Sequence, residues 1–175
     1  MKAVTILCLA ALLAWPLRAQ QAPPSGLDIH YVPTPEAVVD AMLTLAKVTS
    51  ADVVYDLGSG DGRIPIEAAR KYGARGVGVE LDPALVQRAR DNAAAAGVAD
   101  KVTFIEADLF RTDLAEATVV TLFLSPSVNL RLRSKLQREL KPGTRIVSNR
   151  FPIADWTPDQ ELTVEGTPVK FWLVR

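Results

Sequence analysis

Between residues 36 and 47 the chain sets Val38, Ala41, Met42 and Leu45 at helical spacing, after Thr34 and Pro35, which read as an N-cap and a first-turn residue. An amphipathic helix is predicted there. Short apolar runs at 52–57 (DVVYDL), 76–80 (GVGVE) and 102–107 (VTFIEA) each predict a buried strand. Between them, residues 63–72 predict one helix. A second starts from an Asp82 N-cap with Pro83 in its first turn, keeps Leu85, Val86, Ala89 and Ala93 on one face and stops before Gly97. Residues 118–124 (TVVTLFL) predict a fourth strand. Residues 127–140 repeat Val128, Leu132, Leu136 and Leu140 as a helix, and after the stop at Pro142 and Gly143 a fifth strand covers 144–148. The tail, 161–165 and 169–174 around Gly166, predicts an antiparallel hairpin. Strands separated by helices of this length imply parallel βαβ units. The expected fold class is α/β, a single doubly wound, mostly parallel sheet with an antiparallel strand at its end. Ligands of such sheets bind outside the strands' carboxyl ends, where the winding reverses. That places attention on residues 56–62.

Composition narrows the classes. The 175 residues are about one domain's worth, and 49% hydrophobic with 23% charged residues is the balance of a globular chain, not a disordered one. Twenty basic residues balance twenty acidic ones. No global field draws such a chain onto nucleic acid or anionic lipid, and no nucleic-acid partner is expected. The single cysteine, Cys8, excludes an intramolecular disulfide, a thiolate zinc site and a CxxC pair.

The amino terminus stands apart. Lys2 precedes an apolar run from Ala3 to Trp15, broken only by Thr5, and Pro16, Leu17, Arg18 and Ala19 follow. This is the layout of a secretory signal peptide, and it is shorter than the ~20 apolar residues of a spanning helix. Leu17 departs from the small-residue cleavage pattern, so an uncleaved membrane anchor stays open. The organisation expected is residues 1–19 as signal peptide or anchor, 20–29 (QQAPPSGLDI) as a flexible tether and 30–175 as the folded domain. Cleavage would export the domain, whereas an anchor could leave it in the cytosol.

Candidate chemistry is concentrated in Asp56, Leu57, Gly58, Ser59, Gly60, Asp61, Gly62 and Arg63, at a strand-to-helix turn whose alternating glycines let a ligand approach the backbone. Twenty-two residues after Gly58 stands Glu80, at the end of the second strand, where a carboxylate can accept hydrogen bonds from ribose hydroxyls. The sixth position of the dinucleotide fingerprint GxGxxG is Arg63, which argues against a nicotinamide-dependent oxidoreductase. Asp56 and Asp61 bring negative charge, which disfavours a pyrophosphate and suits a cation or amine. S-adenosylmethionine, with a sulfonium and an α-amino group, matches.

On these residues the chain resembles the class I S-adenosylmethionine-dependent methyltransferases, with DLGSGDGR as the first motif and GVGVELD as the second. The resemblance implies a Rossmann-like sheet of about seven strands whose last is reversed. It implies that Asp56 and the loop Gly58, Ser59, Gly60, Asp61 and Gly62 lie near the methionine part, with Glu80 on the ribose. Asp108 in FIEADLF is similar to the family's acidic residue that contacts the adenine amino group, with Leu109 beside it; a helix cap is its structural alternative. A narrower resemblance rests on YVPTPEAVVDAML, DLGSGDGRIPIEAAR and RFPIADWTPD. These segments together resemble the small protein-lysine methyltransferases whose eukaryotic members modify the mitochondrial adenine nucleotide carrier and the ATP-synthase c-subunit. The order PTP, helix, DLGSG also resembles the histone lysine methyltransferases that lack a SET domain. The implied activity is methyl transfer to an amine, a protein lysine side chain. Phe123, Leu124, Ser125 and Pro126 stand where adenine-N6 and glutamine methyltransferases carry an Asn/Asp-Pro-Pro-aromatic motif, which disfavours those substrates. No metal is expected, since no clustered His, Asp and Glu motif suggests a magnesium site.

Transfer to an amine is an in-line displacement that needs a neutral nitrogen held against the methyl group more than a dedicated base. An apolar channel and a neighbouring sulfonium both favour a neutral lysine over its ordinary pKa of about 10.4. Tyr31 and Thr34 join the cofactor-binding candidates as residues lining this channel, with Ser125 and Asn149 at strand ends. No catalytic residue is assigned, and His30, beside the tether, is not given that role. Arg131, Lys135 and Arg138 can share a helix face, read as solvated. Trp156 and Trp172 are read first as core. The chain is expected to be a monomer. Two further readings stay open: an exported nucleoside-binding protein without turnover, and a methyltransferase of small molecules.

Overall fold

The computed structural model describes residues 31–175. The expectations for residues 1–29 and His30 lie outside the described residues. Along the described chain run α1 (Glu36–Leu45), β1 (Val53–Leu57), α2 (Arg63–Tyr72), β2 (Arg75–Glu80), α3 (Pro83–Ala95), β3 (Val102–Glu106), β4 (Val119–Leu122), α4 (Pro126–Glu139), β5 (Arg145–Asn149), β6 (Gln160–Val164) and β7 (Thr167–Leu173). The strands form one sheet in the order β3-β2-β1-β4-β5-β7-β6. The first five pair in parallel, and β7 runs antiparallel to both β5 and β6.

The reversed strand is therefore one place in from the edge. Burial explains the order: β7 carries Val169, Phe171 and Trp172 to buried positions, whereas β6 (QELTV) keeps Gln160, Glu161 and Thr163 exposed, as an edge strand requires. Side chains alternate between two apolar layers. Val54, Val119, Val147 and Val169 pack with Val38, Met42 and Leu43 of α1 and Ile64 of α2. On the other face, Leu57, Leu122, Ile146 and Trp172 pack with Leu132 and Leu136 of α4. Burial on both faces is why the central strands read as continuous apolar runs.

α3 closes against β3 through Val86, Ala89 and Phe104, with the Asp82 carboxylate accepting from Ala84 N at its N-terminus. Gly78 of β2 lies against the same Phe104. A Cβ at Gly78 would lie 2.7 Å from Ser59 Oγ and collide with the Phe104 ring. The link from β3 to β4 contains no helix. It is a loop pinned by turns at Asp108 and by fully buried Leu114. Among the described residues no helix is long and apolar enough to cross a membrane.

Candidate functional site

β1 neighbours β2 on one side and β4 on the other, so the winding reverses at its carboxyl end. Gly58 N and Ser59 N both donate to Val79 O, at 2.8 and 3.0 Å, tying the loop after β1 onto β2. Gly62 N donates to Ser59 O at 2.9 Å and closes the turn. At Gly60, φ is +54° and a Cβ would stand 2.8 Å from Cδ2 of Tyr31. Only glycine meets both the left-handed backbone and the close approach. Its N–H donates to Glu80 Oε2 at 2.9 Å, while Glu80 Oε1 accepts from Leu81 N and Asp82 N at 2.8 and 3.0 Å. The carboxylate is thus fixed by three N–H groups, and Oε2 keeps one further acceptor direction for a ligand hydroxyl.

Asp56 is 3% exposed and its Oδ1 accepts from Thr121 Oγ1 at 2.7 Å. Burial pushes its carboxyl up to about 7 against that hydrogen bond, and the charges of Glu80 and Asp61 push the same way. Asp61 behaves differently. Burial would raise it too, but Arg63 grips it through Nε to Oδ1 (2.9 Å) and Nη2 to Oδ2 (2.7 Å) and holds it below the usual carboxylate range. The guanidinium is raised in turn by this partner. Its Nη1 donates to Thr34 O at 2.6 Å. Arg63, at the fingerprint's sixth position, is thus a clasp joining the segment before α1 to the glycine loop. Three carboxylates and one guanidinium leave the loop negative, which fits a cationic ligand and opposes a pyrophosphate.

Thr34 does not cap α1. Pro35 occupies the N-cap position without a side-chain cap, and Thr34, 4% exposed, turns its Oγ1 to accept from Asn149 Nδ2 at 3.3 Å. Proline holds the residue before it extended, which carries that hydroxyl away from the helix start. Tyr31 lies over Gly60, its phenol raised by burial and then by the Asp61 carboxylate. Asp108 Oδ1 accepts from Phe110 N at 2.8 Å, so it caps a turn after β3 and not a helix. Ala107 N donates to Glu80 O, which sets Asp108 and half-buried Leu109 just past the level of Glu80. The guanidinium of Arg131 sits 4.0 Å from the centre of the Phe110 ring and ties this loop to α4.

Ser125 stands at the start of α4 with its Oγ 3.0 Å from Ser127 Oγ. The basic face of α4 divides: Arg131 and Arg138 are exposed, whereas Lys135 is buried against Glu139. Trp172 is fully buried and donates Nε1 to Trp156 O at 2.8 Å, which is the core role. Asp56, Gly58, Ser59, Gly60, Asp61, Gly62 and Glu80 come together with Tyr31 and Thr34; Asp108 and Leu109 lie on the β3 side. Sequence reasoning missed the Arg63 clasp, although the acid–x–arginine spacing of Asp61 and Arg63 was a readable signal.

Residues 56–160 match the model of the ANTKMT methyltransferase domain. The chain is 47% identical over 138 residues to a protein-lysine N-methyltransferase of Saccharolobus islandicus, covering 78% of this chain and 86% of that protein. It is 40% identical over 154 residues to the adenine nucleotide translocase lysine N-methyltransferase of Mus musculus, covering 86% of this chain but 66% of the mouse protein. Among solved structures, an RNA methyltransferase from Salinibacter ruber in complex with S-adenosyl-L-homocysteine is 58% identical, with a TM-score of 0.81, covering 82% of this chain and 94% of that one.

Proposed function

The chain belongs to the family of ANTKMT methyltransferase domains, and on that premise we propose that its acceptor is the side-chain amine of a protein lysine. The enzyme is an S-adenosylmethionine-dependent methyltransferase. Asp56 and the Gly58–Gly62 loop would hold the methionine part, Glu80 the ribose, and Asp108 with Leu109 the adenine. Bound there, S-adenosylmethionine would supply a sulfonium methyl group to the neutral acceptor nitrogen, the electron pair of the broken C–S bond staying on sulfur. The chain's own residues do the rest. Carboxylates around the loop favour the positive cofactor, and Phe123 stacked on Phe151, ring centres 6.5 Å apart, offers an apolar wall that favours the neutral amine.

The observation that carries the lysine reading is the acceptor edge. Phe123-Leu124-Ser125-Pro126 follows β4 there, without the Asn/Asp-Pro-Pro-aromatic residues that suit a planar amide or base. The names of the archaeal and mouse relatives support it. The likeness to the Salinibacter RNA methyltransferase favours a second reading, an RNA acceptor. Methyl-labelled S-adenosylmethionine, offered with the enzyme to protein and RNA fractions of its host, separates them. The expected result is label in methyl-lysine after protein hydrolysis; label confined to RNA would replace lysine by a nucleotide acceptor.

For residues 1–19 we propose a signal that exports the domain when cut after Ala19, or, uncut, an anchor that leaves it on the cytosolic side. Amino-terminal sequencing of fractionated protein distinguishes the two. A monomer is proposed, checked by sedimentation.

A further inference from the structure

The segment RFP at 150–152 opens on strained backbone at the acceptor edge. Arg150 has φ of +66°, and Phe151 N donates to Asn149 O at 2.8 Å across it, a three-residue γ-turn that ends β5. A non-glycine residue in this conformation costs energy and persists where its surroundings over-determine it. They do so here. Ser148 Oγ donates to Phe151 O at 2.7 Å, fully buried Asn129 on α4 donates Nδ2 to Pro152 O at 3.1 Å, and Arg150 N donates to Pro168 O at 2.7 Å.

What this turn fixes is Asn149. Strand alternation puts Asp56, Thr121, Val147 and Asn149 on the same sheet face. The register aligns Asp56 with Thr121 and Thr121 with Val147, so Asn149 stands one layer further toward the carboxyl edge, level with Phe123. Asn149 is 1% exposed; its Nδ2 is taken by Thr34, and its Oδ1 has no hydrogen-bond partner. Exchanging the amide's nitrogen and oxygen would let Thr34 donate instead and would still leave one amide atom unpaired. A buried polar atom without a partner is costly unless a ligand supplies one.

Building on the lysine reading above, we propose that Asn149 is a specificity-determining residue whose Oδ1 accepts one N–H of the acceptor amine. This bond turns the nitrogen's lone pair toward the transferring methyl group while Phe123 and Phe151 strip water from it. The bond needs an N–H donor, so the site favours amine nitrogens over hydroxyls. Thr34 holds the amide in place and is itself held by Arg63, which connects the cofactor loop to the acceptor edge.

The test uses two ligands on the full-length protein, S-adenosyl-L-homocysteine and an adenosine–amino-acid analogue in which a short aminoalkyl chain replaces the transferred methyl group. Wild type is expected to bind the analogue about tenfold or more tighter than the homocysteine compound. If it shows no such preference, the amine-acceptor reading fails. Given that preference, Asn149→Leu, similar in branching but without an acceptor, should lose it while its affinity for the homocysteine compound stays within about threefold. Asn149→Asp, which keeps an acceptor, should retain it. Asn149→Ala gives the same reading as the leucine variant should that one not fold. A leucine or alanine variant that keeps the preference, or that weakens both ligands equally, overturns the role of Asn149.

Discussion

The Asp56 carboxyl, pushed up to about 7 by burial and its acidic neighbours, keeps its proton in the folded chain at pH values where the unfolded chain, at 3.8, has lost it. Its stabilising contribution is therefore fully present below pH 3.8 and is lost as pH rises to about 7. Asp56→Asn, still able to accept from Thr121, should leave thermal stability nearly unchanged at pH 4 and raise it at pH 8, by at most about 4 kcal/mol. The same variant should bind S-adenosylmethionine about tenfold or more weakly, since the negative charge is gone. In the wild type, cofactor binding and deprotonation of Asp56 are linked. Calorimetry should show affinity falling as pH drops below about 7; a flat profile in both proteins would remove Asp56 from the cofactor site. At Gly60 the constraint is steric. Gly60→Val forces a branched side chain into a left-handed backbone and into Tyr31, and should abolish cofactor binding with the fold retained by circular dichroism.

At the scale of elements, the site depends on how closely β2 meets its neighbours and on one clasp. Gly78→Val would drive a side chain into Phe104 and Ser59, and overpacking of this kind costs about 1–3 kcal/mol. Urea denaturation should show a lower midpoint with unchanged slope. Arg63→Met breaks the pair with Asp61 and the bond to Thr34 O. Both side chains are partly exposed, so the expected cost is only about 1 kcal/mol. The loss should be local: faster amide exchange over residues 31–36 with the core strands unchanged. Exchange that quickens evenly along the chain would argue against a clasp. Helices and strands were legible because their periodicities are local, and each predicted element is present within a few residues. Thr34 was misread as a cap because its hydroxyl answers to Asn149, 115 residues away.

For the whole molecule, balanced charge predicts weak attraction to polyanions. Unstructured RNA should bind no tighter than about 10 µM at physiological salt by fluorescence anisotropy, a result a dedicated RNA enzyme would contradict. The positions of the glycine loop, Glu80 and Asp108 at the ends of three successive strands were legible because composition and spacing along one stretch of chain announce them. β7's place inside the sheet was not, since hairpin sequence fixes which strands pair but not which of them meets β5. Nor were the Arg63 clasp, the γ-turn at Arg150 and the unpaired Asn149 oxygen. The sequence alone determined the fold class and the cofactor, because those follow from local periodicity and the charge of one contiguous motif. Only the tertiary structure decided which side chains share the acceptor edge, because that depends on sheet order and register, which set residues far apart in sequence within hydrogen-bonding distance.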